Sequence, residues 1–366
     1  MSVVPAPSSV RELTIPRDAP RAGDAAGALE AAREGPRVAV IIPCYKVERS
    51  IIGVVSSIGD WAWGIYCVDD ACPSGSGKLV EASFADDARV KVVMRERNGG
   101  VGAATMAGYR AAIADGADIL VKVDGDGQMD PRLVPQLVAP IVEGEADYVK
   151  GNRFFSAETV HRMPWTRLVG NAGLSFLTKL STGYWDLFDP TNGFTALEAN
   201  VARELPFDKI HPRYFFETDL LFRLGVLRAR VVELPADAVY ADEKSNLSEL
   251  HALTTFPFLH LRNLLKRIAY SYFLRNFSVA SLNLVAGCAL FAFGVVFGAW
   301  RWATAIETES VSTAGTVMLA ALPVLLGLQL GLSFLQHDVS MVPKVALHRR
   351  LGAVRVMRAR EVERDP

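Results

Sequence analysis

The chain is poor in cysteine and in net charge, and each shortage removes a class of function. Its 366 residues hold four cysteines, Cys44, Cys67, Cys72 and Cys288, none in a Cys-x-x-Cys pair. Neither a disulfide framework nor a zinc site is expected of them; they read as reduced, cytosol-facing thiols. The formal net charge is only −1, so nothing draws the whole chain to nucleic acid, no nucleic-acid partner is expected, and any electrostatic function is local. Residues 1–36, rich in Ala, Arg, Pro and Asp, lack an apolar run long enough for the core of a secretory signal. They are expected to be a disordered tail, with the folded domain starting near Arg37.

Hydrophobic residues are plentiful at 50%, enough for one large core with apolar sequence left over for a second environment. From Val38 onward, short β-branched runs (38–42, 64–68, 90–94 and 118–123) alternate with stretches of helical periodicity (48–59, 76–85, 101–115 and 131–143). That alternation predicts an α/β fold, a mostly parallel sheet with helices on both faces. Such sheets bind ligands at the carboxyl ends of their strands. Pro43-Cys-Tyr45, Asp69-Asp70 and Asp124-Gly-Asp126 all fall there.

The character of the sequence changes after about Leu250. Residues 251–276 mix aromatic, aliphatic and basic side chains, as helices lying in a membrane interface do. Phe277 to Trp300 and Ala314 to Gln336 then run without a formal charge, each long enough to cross roughly 30 Å of hydrocarbon. Arg262, Lys266, Arg267 and Arg275 precede the first run; Lys344, Arg349, Arg350, Arg355, Arg358 and Arg360 follow the second; the connector carries one Arg against Glu307 and Glu309. The positive-inside rule predicts a multi-pass protein of the inner or plasma membrane, with two spans inside 277–338 and the sheet domain (37–250) and basic tail (339–366) in the cytoplasm. Gly294-Val-Val-Phe-Gly298 and Gly327-Leu-Gln-Leu-Gly331 are spacings at which helices pack closely, a route to a homo-oligomer through the membrane helices, although glycine is also common in any membrane helix.

Asp124-Gly-Asp126-Gly-Gln128 ends an apolar strand, so two carboxylates and an amide project from a turn. Such a set suits a hard divalent cation, Mg²⁺ or Mn²⁺, that shares its shell with phosphates. An EF-hand is excluded: Met129 stands where that loop needs Gly and Pro135 where it needs the bidentate Glu. At the neighbouring strand ends Asp69 and Asp70 are positioned to accept hydrogen bonds from a base or ribose, Tyr45 offers a ring face and Pro43 a rigid edge. Asn98-Gly99-Gly-Val-Gly leads into a helix and offers backbone N–H groups to an anion or ring edge, but its glycines do not fit a dinucleotide fingerprint.

Taken together, Ile-Ile-Pro43-Cys-Tyr45, Val-Asp69-Asp70, Arg97-Asn98-Gly-Gly-Val-Gly, Val-Asp124-Gly-Asp126-Gly-Gln128, Lys150-Gly-Asn-Arg153, Asp189-Pro-Thr-Asn-Gly193 and Phe216-Glu217-Thr-Asp219 resemble family-2 glycosyltransferases of the GT-A fold. Within them the chain is most similar to the dolichol-phosphate mannose synthase group, over about residues 37–248. The resemblance implies that Pro43, Tyr45, Glu48 and Asp70 hold a nucleotide sugar, UDP- or GDP-linked, and that Asp124 and Asp126 bind metal and diphosphate with Gln128 beside them. It further implies that Arg153 and Lys244 meet donor or acceptor phosphates, and that the sugar passes with inversion to a polyprenyl phosphate. Two positions depart from the group's pattern: Glu48 stands one place late after Tyr45-Lys46-Val47, and Asp69-Asp70 is followed by Ala71-Cys72. Both leave the base open. A phosphate acceptor needs only Arg or Lys to position it. A hydroxyl on a cell-surface glycan, the alternative acceptor, needs a base, for which Glu217 and Asp219 are the candidates. A non-catalytic nucleotide-binding scaffold is the remaining alternative, disfavoured by the intact acidic pair.

Overall fold

The structure, a computed structural model, describes residues 35–154, 165–190, 192–236 and 249–351. Lys244, Arg355, Arg358 and Arg360, singled out above, lie outside the described residues. Seven strands form one sheet in the order β3-β2-β1-β4-β6-β5-β7: β1 (Val38–Cys44), β2 (Gly64–Asp69), β3 (Val90–Met94), β4 (Ile119–Lys122), β5 (Tyr148–Asn152), β6 (Thr195–Glu198) and β7 (Val231–Pro235). β1, β2, β3 and β4 run parallel, and β5 is parallel to β7. β6 is antiparallel to both of its neighbours, a reversal the sequence pattern did not announce. This is the mostly parallel, GT-A-like arrangement expected.

Side chains alternate across a strand, so both faces of β1 are apolar and both are covered. Val38, Val40 and Ile42 pack with α1 (Ile51–Ser56) and, across the same face, with α4 (Val134–Val142). Ala39 and Ile41 face α3 (Val101–Ala114) and α7 (Phe216–Leu227). The remaining helices of this region are α2 (Ser76–Ser83), α5 (Trp165–Thr182) and α6 (Ala199–Arg203). Because β1 and β2 are paired Cys44 to Asp69, and the Val123 N–H reaches the Ile41 carbonyl at 3.0 Å, the carboxyl ends of β1, β2 and β4 finish side by side.

The C-terminal helices are built the other way round. α8 (Glu249–Ile268) continues through one π-helical turn, Ala269–Leu274. Beside Leu259, its buried positions are polar: His260 bonds Ser181 (2.8 Å), Asn263 donates to Asp219 (3.0 Å), and Arg267 donates to the Leu180 carbonyl and to Asp338. Its outward positions include large apolar side chains, with Phe258 69%, Leu261 50% and Leu265 59% exposed. Spaced by three and four residues, these three share one stripe.

Two long helices follow, α9 (Val279–Glu307) and α10 (Ala314–Ser340), with mean hydropathy 2.1 and 2.0 and only 22% and 11% of their apolar windows buried. At 1.5 Å per residue each is about 40 Å long, more than a bilayer's hydrocarbon core. They pack on each other through glycine: a Cβ on Gly294 would lie 2.7 Å from the Ala320 carbonyl, and one on Gly327 2.5 Å from the Phe291 nitrogen. The small-residue spacing is therefore taken up by the chain's own hairpin.

After α10 the chain returns to the sheet domain. The backbone N–H groups of Leu347 and His348 and the His348 ring bond the buried Asp147 carboxylate at 2.7–2.8 Å, beside the Arg230 N–H on the same group.

Candidate active site

The acidic turn after β4 is held from two sides. Ser50, at the start of α1, donates to the Gly125 carbonyl (2.7 Å), and Met129 Sδ receives the Asp124 N–H (3.3 Å). Asp124 and Asp126 therefore emerge beside the loop that carries Pro43 and Tyr45. Asp126 receives the backbone N–H of Gln128 at 3.0 Å, which tightens the turn.

Beneath Asp124 lies a group the sequence reading passed over. Lys122, fully buried, donates to Asp124 Oδ1 at 2.6 Å and stands 3.6 Å from Glu217 Oε1, at the start of α7. Burial alone would pull its ammonium down, but Asp124 and Glu217 outweigh that and hold it above the ordinary lysine range. Burial also pushes the Glu217 carboxyl up to about 7, against the pull of Lys122 and Lys150. Lys150, equally buried on β5, donates to the Asn192 carbonyl (2.6 Å), and burial draws it down to about 8 against Asp189 and Glu217. Gly193 leaves room for this cluster, since a Cβ there would sit 2.4 Å from Lys122 Nζ and 2.9 Å from Asp124 Oδ2. The signal for Lys122 was present in Ile-Leu-Val-Lys122: a charge inside an apolar strand is rare unless paired.

Arg153 grips Asp189 with two prongs (2.8 and 3.0 Å) and its own backbone N–H (3.2 Å), while Asp189 is steadied by its N–H to Glu233 (2.8 Å). Its guanidinium is thus aimed by a carboxylate with no exposed surface. Tyr45 is 41% exposed at the rim, with the Lys46 ammonium 5.5 Å from its ring centre. Pro43 is half-buried. Glu48 is exposed and accepts from Ser74 (2.7 Å), which bridges the loops after β1 and β2 and lowers its carboxyl's proton affinity. Across the cleft, Arg213 and the 46% exposed Tyr214 crown the loop before α7, which the Ala103 N–H ties to the start of α3 through the Pro212 carbonyl (2.9 Å).

Two expectations are corrected here. Asp69 and Asp70 do not point open carboxylates at a base or ribose. Asp69 accepts the Cys72 and Gly77 N–H groups (both 2.7 Å), fastening the start of α2. Asp70 accepts the N–H groups of Gly99 and Gly100 (2.7–3.1 Å) and pairs with Arg95. Asn98 donates to the Asp70 carbonyl (3.2 Å), so the glycine-rich loop is clamped to β2; at Gly100, φ is +96° and a Cβ would lie 2.9 Å from the Pro212 carbonyl. Asp219 is likewise no base facing the cleft. Two residues along a helix turn a side chain by about 200°, so where Glu217 faces Lys122, Asp219 faces away. It accepts from the His211 N–H (2.9 Å), Asn263 (3.0 Å) and Arg223 (3.3 Å).

Among the described residues no three His, Cys, Asp or Glu side chains converge to enclose an ion. The Asp124–Asp126 pair fits a different kind of site: two hard oxygen donors that leave most of the shell to phosphate and water, which Mg²⁺ accepts and a closed protein cage does not allow. Lys122, bonded to Asp124 Oδ1, fixes where that carboxylate stands.

An open α/β sheet here gathers an acidic turn, a buried lysine and an aimed arginine at its carboxyl edge, where sheets of this kind bind their ligands. Residues 39–205 match the model of glycosyl transferase family 2. The undecaprenyl-phosphate mannosyltransferase of Micrococcus luteus is 32% identical over 202 residues, 54% of this chain and 82% of that protein. The polyprenol monophosphomannose synthase of Mycolicibacterium smegmatis is 30% identical, over 54% of this chain and 76% of that one. The UDP-N-acetylglucosamine–dolichyl-phosphate N-acetylglucosaminyltransferase of Methanococcus voltae is 29% identical, over 56% and 86%. Among solved structures, glucosyl-3-phosphoglycerate synthase from Mycobacterium tuberculosis with UDP superposes at TM-score 0.48 and 27% identity, over 68% of this chain and 89% of that one. The chain belongs to glycosyl transferase family 2 and is a glycosyltransferase.

Proposed function

We propose that the enzyme transfers a sugar, with inversion and with a divalent metal, from a UDP- or GDP-sugar to a polyprenyl phosphate at the cytoplasmic face of the membrane. In this reading residues 37–250 are the catalytic domain, 251–276 lie in the interface, 277–338 span the bilayer twice and 339–366 return to the cytoplasm. The observation that carries it is the junction of two features: the Lys122–Asp124–Glu217 cluster opens α7, and Asp219, two residues on, is bonded to the helix whose apolar stripe faces outward. Chemistry on a nucleotide sugar is thereby mounted on a surface suited to lipid. The names of the relatives from Micrococcus and Mycolicibacterium, each a transferase acting on a polyprenyl carrier, support the acceptor class.

Asp124 and Asp126 would hold Mg²⁺ or Mn²⁺, with Gln128 beside them. When bound, the ion supplies positive charge against the departing nucleoside diphosphate. Lys122 fixes the position of Asp124; Tyr45 and Pro43 flank the nucleotide; Asp69 and Asp70 shape its loops; Arg153, aimed by Asp189, positions a phosphate. A lipid phosphate is already ionised at neutral pH and reacts without surrendering a proton. Purified protein hydrolysing a nucleotide sugar slowly, and only with metal, is the expected signature; no hydrolysis with any donor would favour the scaffold.

One observation favours a second acceptor. Glu217, with its carboxyl raised to about 7, is matched to taking a proton from a sugar hydroxyl. In a transfer assay Glu217→Gln harming the reaction more than Arg153→Ala would establish that reading in place of the phosphate acceptor.

A further inference from the structure

At the far end of α7 from Lys122, a cavity of about 290 Å³ opens where the sheet domain, the π-helical turn and both apolar helices meet. Its lining includes Arg228, Arg267, Arg275, Asn276, His337 and Asp338. Asn276 lies just before α9 begins, and His337 and Asp338 lie in the last turn of α10. If the hairpin crosses a bilayer, the cavity stands at the height of the lipid headgroups.

The charges do not cancel. Arg267 is spent on Asp338 (2.6 and 2.9 Å) and on the Leu180 carbonyl. Asp338 is saturated by Arg267, Tyr272 (2.6 Å) and Trp185 (2.8 Å). Arg275 donates one nitrogen to the Val226 carbonyl (2.6 Å), and the Arg228 side chain has no hydrogen bond or ion pair among the described residues. Two guanidiniums are thus left over. Arg228 is also held in the left-handed region, at φ 62°, in the position after a helix that glycine ordinarily takes. A cation at a helix C-terminus is favourable by itself, but that benefit does not require a branched carbon at this strained position.

We propose that this cavity is a binding site for the phosphodiester headgroup of an anionic phospholipid, separate from the site of sugar transfer. Basic pockets between membrane helices on the cytoplasmic side hold anionic headgroups in this way. The eleven residues from Glu217 to Arg228 place the cavity about 16 Å along α7 from the reacting groups, whereas an acceptor oxygen has to come within about 3.5 Å of the anomeric carbon. The bound lipid is a fixed part of the membrane seat, bridging α7, the turn before α9 and the end of α10. The proposal rests on the membrane reading given above.

The test uses the full chain in non-ionic detergent, titrated with dioctanoyl phosphatidylglycerol, dioctanoyl phosphatidylcholine and inorganic phosphate while the melting temperature is followed. Phosphatidylglycerol should half-saturate the rise at a concentration at least tenfold below that of phosphatidylcholine. R228G, which relieves the left-handed strain, should melt no lower than the parent without lipid yet bind phosphatidylglycerol about tenfold more weakly, the scale of one charge-assisted hydrogen bond. R228G/R275Q should lose the preference altogether. Equal responses to the two lipids, unchanged affinity in R228G, or inorganic phosphate acting as well as phosphatidylglycerol would each overturn the proposal, the last by assigning the site to free phosphate. Flotation with phosphatidylcholine vesicles separates the two layers of the argument. A parent chain that floats but shows no headgroup preference in the titration sinks this proposal alone, and a parent chain that fails to float sinks the membrane reading together with it.

Discussion

The sheet domain and the C-terminal helices solve opposite burial problems with one chain. In the sheet, valine, isoleucine and alanine fill both faces, and one group of charges, Lys122, Glu217 and Lys150, gathers at the carboxyl edge. In α8 His260, Asn263 and Arg267 point inward, to Ser181, Asp219 and Asp338, and Phe258, Leu261 and Leu265 point out. Water is the outer solvent of the first region, whereas the second is arranged for an apolar one. Polar ties join them beside apolar contacts such as Phe215 with Phe256: Asp219, Asp338 and Asp147 each tie an element of the sheet domain to one that follows it. In such a joint ion pairs hold only while both partners remain, because either left alone is a buried, unpaired charge.

The largest effect should come from cutting that joint. Asp338→Ala strands Arg267 and should cost about 3–5 kcal/mol, read as unfolding of the detergent-solubilised protein; a loss under about 1 kcal/mol would mean that the two regions are not coupled there. Asp126→Asn should leave folding intact by circular dichroism yet lower transfer by about 10²–10³-fold, the scale of removing one preorganised electrostatic group. Full activity would move the metal elsewhere. A smaller contrast, in rates of transfer to lipid phosphate, should rank Arg153→Ala below Glu217→Gln.

The pH dependence of the return segment is smaller again. Asp147 raises the proton affinity of His348 above that of an ordinary histidine. The stabilisation is therefore fully present below the unfolded value of about 6.5 and is lost as pH climbs through the raised one. Thermal stability should fall across that window in the parent and stay flat in His348→Gln. Least of all, Leu265→Ser on the outward stripe should change folding stability in detergent by no more than about 0.5 kcal/mol while weakening membrane binding.

The first four strands and helices were legible because period-two and helical patterns are local, and so was the acidic turn, since two carboxylates ending an apolar strand have nothing there to bury them; β5, β6 and β7 were not read from the sequence. What escaped depends on distant partners. The inverted polarity of α8 is visible in Phe258, Leu261 and Leu265 only once His260, Asn263 and Arg267 are known to meet the sheet domain. Asp69 and Asp70 read as ligands, and Asp219 as a base, because nothing local reveals the N–H groups and side chains that claim them. The return of Leu347 and His348 to Asp147 spans some two hundred positions. Removal of residues 277–366 would deprive Asp147 and Arg267 of buried partners.

The central claim is that this joint brings a nucleotide sugar and a lipid phosphate together. Membranes carrying the parent enzyme or Asp126→Asn should be incubated with radiolabelled UDP- and GDP-sugars, and the organic extract counted before and after mild acid. Label should enter an extractable, acid-labile lipid with one donor class in the parent and not in the variant; label that appears only in water-soluble or polymeric glycan would contradict the account.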